Sequence, residues 1–287
     1  MIQTQIQKHI STLSLHKRNK MTKLYSTLAS IYHEMYQHVF DYDIEYSFYD
    51  SILKRNNCQS ILEVGCGSGM LARRFLKNGY KYLGVDLFNE MLNIARDEIN
   101  VDVFIQSDMR NLSFDQKFDS ILITGRSLAY VIENKGIIDT LSGIHKLLEN
   151  NGIFVFGVFE ANGIFDNFGD FEQDINHNNK RIRRISKLKK NLETGWTYDW
   201  YAKYIIEEKG NVSEYDDLTT LRAFTKDEIL LFLKLTNFNV KKLIEEERAM
   251  TLIVEKNNYT PRRYIQLSCK FIRNSRAHKD FYINQLI

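Results

Sequence analysis

In the stretch ILEVGCGSGM, residues 61–70, an apolar run meets three glycines spaced two apart, Gly65, Gly67 and Gly69. No other feature of the chain restricts its fold as tightly. A strand that runs through a glycine turn into a helix lets the backbone approach a ligand, and the helix N-terminus offers free N–H groups to it. Asp86 then ends the run YLGVD, 17 residues beyond Gly69. At the end of a second parallel strand, a carboxylate accepts hydrogen bonds from both hydroxyls of a ribose. The turn alone is weak, since glycines at a tight turn also serve structure. Joined to strand, helix and Asp86, it points to an adenosine-type nucleoside.

The remaining pattern supplies the sheet that such a turn needs. SILEV (60–64), YLGVD (82–86), VDVFIQSD (101–108), FDSILITG (118–125) and GIFVFGVFE (152–160) read as strands with helical patterns between them. That alternation implies βαβ units and a mostly parallel sheet. TKDEILLFLKLTNF reads as a helix opened by Thr225, with Glu228 three residues on in a capping-box arrangement. Two further strands, near 238–245 and 249–255, complete the sheet. Near the N-terminus, Tyr25, Ala29, Tyr32 and Tyr36 recur at helical spacing and share one face.

Composition narrows the class. With 287 residues, 44% hydrophobic and 26% charged, the chain matches an ordinary soluble α/β protein, and no apolar run approaches the roughly 18 residues of a membrane span. The first twenty residues are polar and basic and lack the apolar core of a secretory signal, so a cytoplasmic location is expected. Cys58, Cys66 and Cys269 have neither CxxC nor metal-type spacing, and no metal is expected. A net charge of +3 is too small to imply a nucleic-acid partner.

Two cofactor classes compete for the glycine turn. A nicotinamide enzyme favours Gly-x-Gly-x-x-Gly, whereas this chain has Gly-x-Gly-x-Gly with Glu63 two residues ahead. The run EVGCGSG resembles the first motif of the Rossmann-like S-adenosylmethionine-dependent methyltransferases, and the resemblance extends over roughly residues 25–255. GVDLFNEML resembles the second motif, which implies Asp86 on the ribose with Leu87 and Met91 lining the adenine side. QSDMRNL resembles the third, implying Asp108 at the adenine amino group beside Met109. FDSILITGRSLAYV is similar to the fourth, the segment with Gly125 and Arg126 that passes under the methionine part. YSTLASIYHEMY resembles the N-terminal helix of small-molecule and amino-sugar N-methyltransferases, where a tyrosine holds the methionine carboxylate; Tyr25 and Tyr32 match. The implied fold is a Rossmann-like seven-stranded mostly parallel sheet sandwiched by helices. The implied methyltransferase domain spans 21–257, with a helical cap at 21–56 and a strand-rich acceptor-side lid at 161–222. Residues 1–20 and 258–287 are then extensions, the first of them flexible.

The implied reaction is in-line transfer of a methyl group to a small-molecule acceptor, most readily an amine such as an amino sugar. An amine needs no dedicated base; a phenol or alcohol gains more from one. Tyr130, Glu160 and His33 are the candidate bases, with Tyr130 and Glu160 favoured by their place at the carboxyl ends of strands. Tyr130 stands where amino-sugar N-methyltransferases often carry a histidine. In GWTYDWYAKY, Trp196, Tyr198 and Trp200 alternate onto one strand face, which could clamp the acceptor, contact a second subunit in a homodimer, or simply pack. KRIRRISKLKK (180–190) reads as a solvated edge strand, with an anion or RNA site as the alternative. The single proline, Pro261, excludes amino-directed and cytosine-C5 nucleic-acid methylation motifs, leaving a ribose- or guanine-directed RNA enzyme or a non-catalytic cofactor-binding subunit as other readings.

Overall fold

The computed structural model describes residues 22–177 and 179–257. The extensions expected at 1–20 and 258–287 lie outside the described residues.

A 3-10 turn (Lys23–Tyr25) leads into helices α1 (Ala29–Val39) and α2 (Tyr42–Arg55). Then β1 (Ser60–Val64), β2 (Lys81–Asp86), β3 (Phe104–Gln106), β4 (Phe118–Ile123) and β5 (Leu148–Phe159) alternate with α3 (Ala72–Lys77), α4 (Asn89–Ile99) and α5 (Asn134–Leu147). A short α6 (Ala161–Asp166) opens an insertion of four strands, β6 (Phe171–His177), β7 (Lys180–Lys190), β8 (Trp196–Glu208) and β9 (Asn211–Ala223). Helix α7 (Lys226–Leu235) returns to the main sheet through β10 (Phe238–Glu246) and β11 (Ala249–Lys256).

The main sheet has seven strands in the order β10-β11-β5-β4-β1-β2-β3. Its first five strands pair in parallel, and β11 and β10 add antiparallel at one edge. This is the Rossmann-like sheet the glycine turn demands. Neighbouring strand residues alternate through the sheet. Ile61, Leu122 and Val155 join Leu53, Phe75 and Leu92 of α2, α3 and α4, while Leu62, Ile121 and Phe154 join Leu141 of α5 and Phe232 of α7. Burial on both faces explains the near-continuous apolar runs of these strands. Thr225 accepts the Glu228 N–H at 3.3 Å and caps α7 as expected. Among the described residues no helix is long and apolar enough to cross a membrane.

Three expectations shift. Strand β3 covers only three residues, because Asp108 turns the chain by capping a second 3-10 turn, Met109–Asn111. Tyr25 precedes α1, in the first 3-10 turn, since the backbone at Ser26 leaves helical geometry. The basic strand β7 is not an edge. It lies inside a second sheet of order β6-β7-β8-β9. Three of its seven charges are engaged locally: Lys180 pairs with Glu34, Arg181 with Asp174, and Lys190 sits over the rings of Phe165 and Phe168.

The inward face of this second sheet presents Ile182, Ala202, Tyr204 and Ile206 to Leu24, Leu28 and Met35 of the cap. Polar contacts reinforce the seat: the Thr22 hydroxyl donates to the Asp217 carboxylate, which also accepts the Lys23 N–H at 2.7 Å. The cap is thereby held between the insertion and the carboxyl ends of the parallel strands.

Candidate functional site

The glycine turn leaves β1 in left-handed conformation at all three positions, with φ of +78° at Gly65, +55° at Gly67 and +75° at Gly69. Two of the three are required by the chain's own packing. A Cβ at Gly65 would stand 2.7 Å from Ser127 Oγ, and one at Gly69 would stand 3.0 Å from Ala95 Cβ and Ile99 Cδ1. At Gly67 only Met91 Cε comes near, at 3.4 Å. Asp86 ties this turn to the next helix, accepting the Gly67 N–H at 2.9 Å and the Phe88 N–H at 2.9 Å. Burial pushes its carboxyl up, and these backbone donors oppose the rise. A carboxylate fixed at the tip of β2 beside a glycine turn is the arrangement that receives a ribose.

The other residues predicted for cofactor contact divide. Leu87 is exposed beside Asp86, and Met91 is fully buried against the turn. Gly125 and Arg126 form consecutive left-handed residues after β4. The Arg126 guanidinium lies over Phe159 at 5.5 Å and 3.7 Å from Glu246. Asp108 is engaged by Arg110, whose Nε donates to its two oxygens at 2.9 and 3.0 Å, while Met109 packs on the main core. Glu63, which the first motif implies as a cofactor-binding residue, points into the sheet. Its carboxylate is 2% exposed and already accepts the Tyr82 hydroxyl at 2.6 Å and the Thr124 hydroxyl at 2.8 Å, so it seals the junction of β1, β2 and β4. Burial pushes its pKa up to about 7.

The cap tyrosines do converge. The hydroxyls of Tyr25 and Tyr130 meet at 2.6 Å although 105 residues separate them, and their rings stand 5.4 Å apart. Tyr25 also contacts Tyr32 at 5.0 Å and Phe88 at 5.6 Å. Phe88 therefore links the tyrosine cluster to Asp86, which accepts its N–H. His33 Nδ1 lies 2.9 Å from Ser68 Oγ, tying α1 to the glycine turn.

The base candidates fare differently. Burial raises the phenols of Tyr25 and Tyr130, so both stay neutral hydroxyls suited to positioning rather than proton abstraction. Glu160 is occupied as the N-cap of α6: it accepts the Gly163 N–H at 2.6 Å and the Asn162 side chain at 3.0 Å. Burial lowers the pKa of His33, leaving a neutral imidazole bound to Ser68.

Trp196, Tyr198 and Trp200 share one strand face, as their spacing predicts, and aromatic side chains of the chain itself pack against it. Phe165 meets Trp196 at 5.5 Å, Phe168 meets Tyr198 at 6.0 Å and Phe171 meets Trp200 at 5.9 Å. Tyr198 is buried in this packing at 3% exposure, whereas Trp196 touches Phe165 on one side and stays 38% exposed. Trp200 differs, because it lines a small cavity of about 10 Å³ with Tyr130, Tyr204 and Asp217. Ser68, Ser127 and Asp217 were not singled out from the sequence. Ser68 and Ser127 stand inside the quoted motifs, whereas Asp217 has no local signal, since its partners lie about two hundred residues away.

The seven-stranded sheet with its antiparallel final hairpin, the glycine turn and the acid ending β2 give the chain a Rossmann-like fold. Residues 61–152 match the family described as a methyltransferase domain, and the chain carries that domain. YqeM of Bacillus subtilis (strain 168), itself named only provisionally as a methyltransferase, is 27% identical over 210 residues, covering 68% of this chain and 84% of YqeM. The dTDP-4-amino-2,3,4,6-tetradeoxy-D-glucose N,N-dimethyltransferase of Saccharopolyspora spinosa is 26% identical over 173 residues, covering 59% of this chain and 67% of that enzyme. In fold, the chain is similar to an S-adenosylmethionine-dependent methyltransferase from Clostridium acetobutylicum ATCC 824, with a TM-score of 0.69 and 18% identity over 82% of this chain and 99% of that one.

Proposed function

We propose that the protein transfers a methyl group from S-adenosylmethionine to an amine nitrogen of a small-molecule acceptor. The observation that carries this reading is the Asp86 carboxylate fixed on the glycine turn, with Phe88 joining it to the cap tyrosines. Gly67 and Asp86 would hold the adenosine end, and Tyr25 and Tyr32 would close over the methionine end. When bound, S-adenosylmethionine supplies an electrophilic methyl carbon on a sulfonium sulfur. Tyrosine ring faces attract such a cation. The seated cap would hold nucleophile and methyl donor in line, an effect worth about 7–11 kcal/mol in favourable cases.

An amine attacks with its own lone pair and sheds a proton to water afterwards, so neutral Tyr130 suffices as a positioning hydroxyl. Desolvation beneath the cap favours the neutral amine. The amino-sugar N,N-dimethyltransferase relative supports nitrogen as the acceptor atom. The ion pairs of Lys180 and Arg181 favour a small acceptor over RNA, since those charges are already used.

A thermal-shift titration with S-adenosylmethionine, S-adenosylhomocysteine and NADH tests the cofactor, because a ligand that binds the native state stabilises it by mass action. Release of S-adenosylhomocysteine across an amine panel then tests the acceptor. Stabilisation by NADH alone would refute the reading.

A further inference from the structure

Two arginines are almost fully buried, Arg184 and Arg222, at 4% and 1% exposure, and they are treated differently. Arg222 is ion-paired with Glu228. Arg184 has no carboxylate partner among the described residues. Its Nη1 donates to the Tyr36 hydroxyl at 2.9 Å, its second Nη donates to Gln173, and its guanidinium lies 4.9 Å from the Trp200 ring. Among the described residues its Nε has no hydrogen-bond partner. On the same inward face, Ser186 Oγ and Trp200 Nε1 are also buried without a partner among the described residues, and the Tyr204 hydroxyl, also buried, has only Arg184 beside it. Strand pairing sets Arg184 directly opposite Tyr204 and Ser186 opposite Ala202.

Arg184 Nε, Ser186 Oγ, Trp200 Nε1 and the Tyr204 hydroxyl can each donate a hydrogen bond. A desolvated cation surrounded by spare donors and lacking a counter-charge is a costly arrangement that an incoming anion relieves. The cluster also reaches the candidate site. Trp200 and Tyr204 line the cavity that Tyr130 lines. Tyr36, bound to Arg184, stacks on Tyr32 at 4.1 Å, and Tyr32 meets Tyr25, whose hydroxyl meets Tyr130. One aromatic wall thus runs from Tyr130 to Arg184. Asp217, the one acid lining that cavity, stands on β9 across β8 from β7, with its oxygens taken by Thr22 and Lys23.

We infer that the acceptor carries an anionic group, carboxylate or phosphate, which Arg184 receives together with the donors of Trp200, Tyr204 and Ser186 while the amine lies toward Tyr130. The inference rests on the methyl-transfer reading. It makes Arg184 a specificity-determining residue.

The test is a thermal-shift titration of the full chain saturated with S-adenosylhomocysteine, using sodium acetate, phosphate and pyrophosphate at matched ionic strength. At least one anion should raise the Tm of the wild type. In Arg184→Gln the apparent affinity for that anion should fall at least tenfold, Arg184→Lys should retain part of it, and S-adenosylhomocysteine affinity should not change. A response to acetate alone indicates a carboxylate acceptor; a response to phosphate or pyrophosphate indicates a phosphorylated one. Should Arg184→Gln not fold, Tyr204→Phe is expected to weaken the anion response several-fold. The inference is overturned if no anion shifts the wild type, or if the shift persists in the variants, which would mark an adventitious ion only. Failure of the methyl-transfer reading shows separately, as absence of S-adenosylhomocysteine binding by the wild type.

Discussion

Replacing Glu63 with glutamine should stabilise the protein at pH 8 and leave it nearly unchanged at pH 4. The wild-type carboxyl is 2% exposed, and burial pushes its pKa from 4.5 to about 7 against the opposing hydrogen bonds of Tyr82 and Thr124. In the unfolded chain it ionises in its ordinary range. Between those two values the folded protein holds a proton that the unfolded chain has released, so stability falls as pH rises through this window and levels off above about pH 7. At about 1.36 kcal/mol per pH unit, the loss amounts to roughly 3 kcal/mol. Glutamine stays neutral throughout and can keep both hydroxyl contacts, since Tyr82 and Thr124 rotate to donate or accept. The difference between variant and wild type should therefore grow from near zero at pH 4 to roughly 3 kcal/mol at pH 8. For a domain of this size that is a Tm difference of roughly 6–12 °C. Thermal unfolding of both proteins at the two pH values measures it. Subtraction removes Asp86 and every other group the two proteins share. A difference that does not change with pH, or a variant less stable at pH 8, would refute the burial of a titrating carboxyl at this junction.

Three other perturbations follow from the same geometry. Asp86→Ala should abolish S-adenosylhomocysteine binding in a calorimetric titration while the far-UV circular dichroism stays native; unchanged affinity would sink the ribose assignment. Gly69→Ala should destabilise by about 1–3 kcal/mol in denaturant unfolding, because it combines a left-handed backbone with a Cβ 3.0 Å from Ala95 and Ile99. Arg222→Ala should cost about 3–5 kcal/mol in the same experiment by leaving Glu228 unpaired, and a loss below 1 kcal/mol would contradict the ion pair.

The aromatic and charged segments of the insertion show where reading from sequence stops. The alternation of Trp196, Tyr198 and Trp200 fixes that they share a face, because successive strand side chains point oppositely. It says nothing about Phe165 and Phe168 folding back to bury Tyr198 while Trp196 stays exposed. The density of lysine and arginine in 180–190 suggests an exposed edge, yet β6 pairs on one side and β8 on the other. Arg184 is indistinguishable from its neighbours until the sheet turns it inward.

Features set by short-range geometry were determined by the sequence itself: β1 running into the glycine turn, Asp86 closing β2, the Thr225 cap and the two closing strands. Each depends on backbone dihedrals and side-chain periods that a dozen neighbouring residues establish. Tertiary structure alone decided which groups remain available for chemistry. It closed Glu63 with Tyr82 and Thr124, committed Glu160 to capping α6, brought Tyr25 onto Tyr130, and left Arg184 without a counter-charge. Burial and long-range partners set the protonation and hydrogen bonding of these groups, and neither exists until distant segments meet.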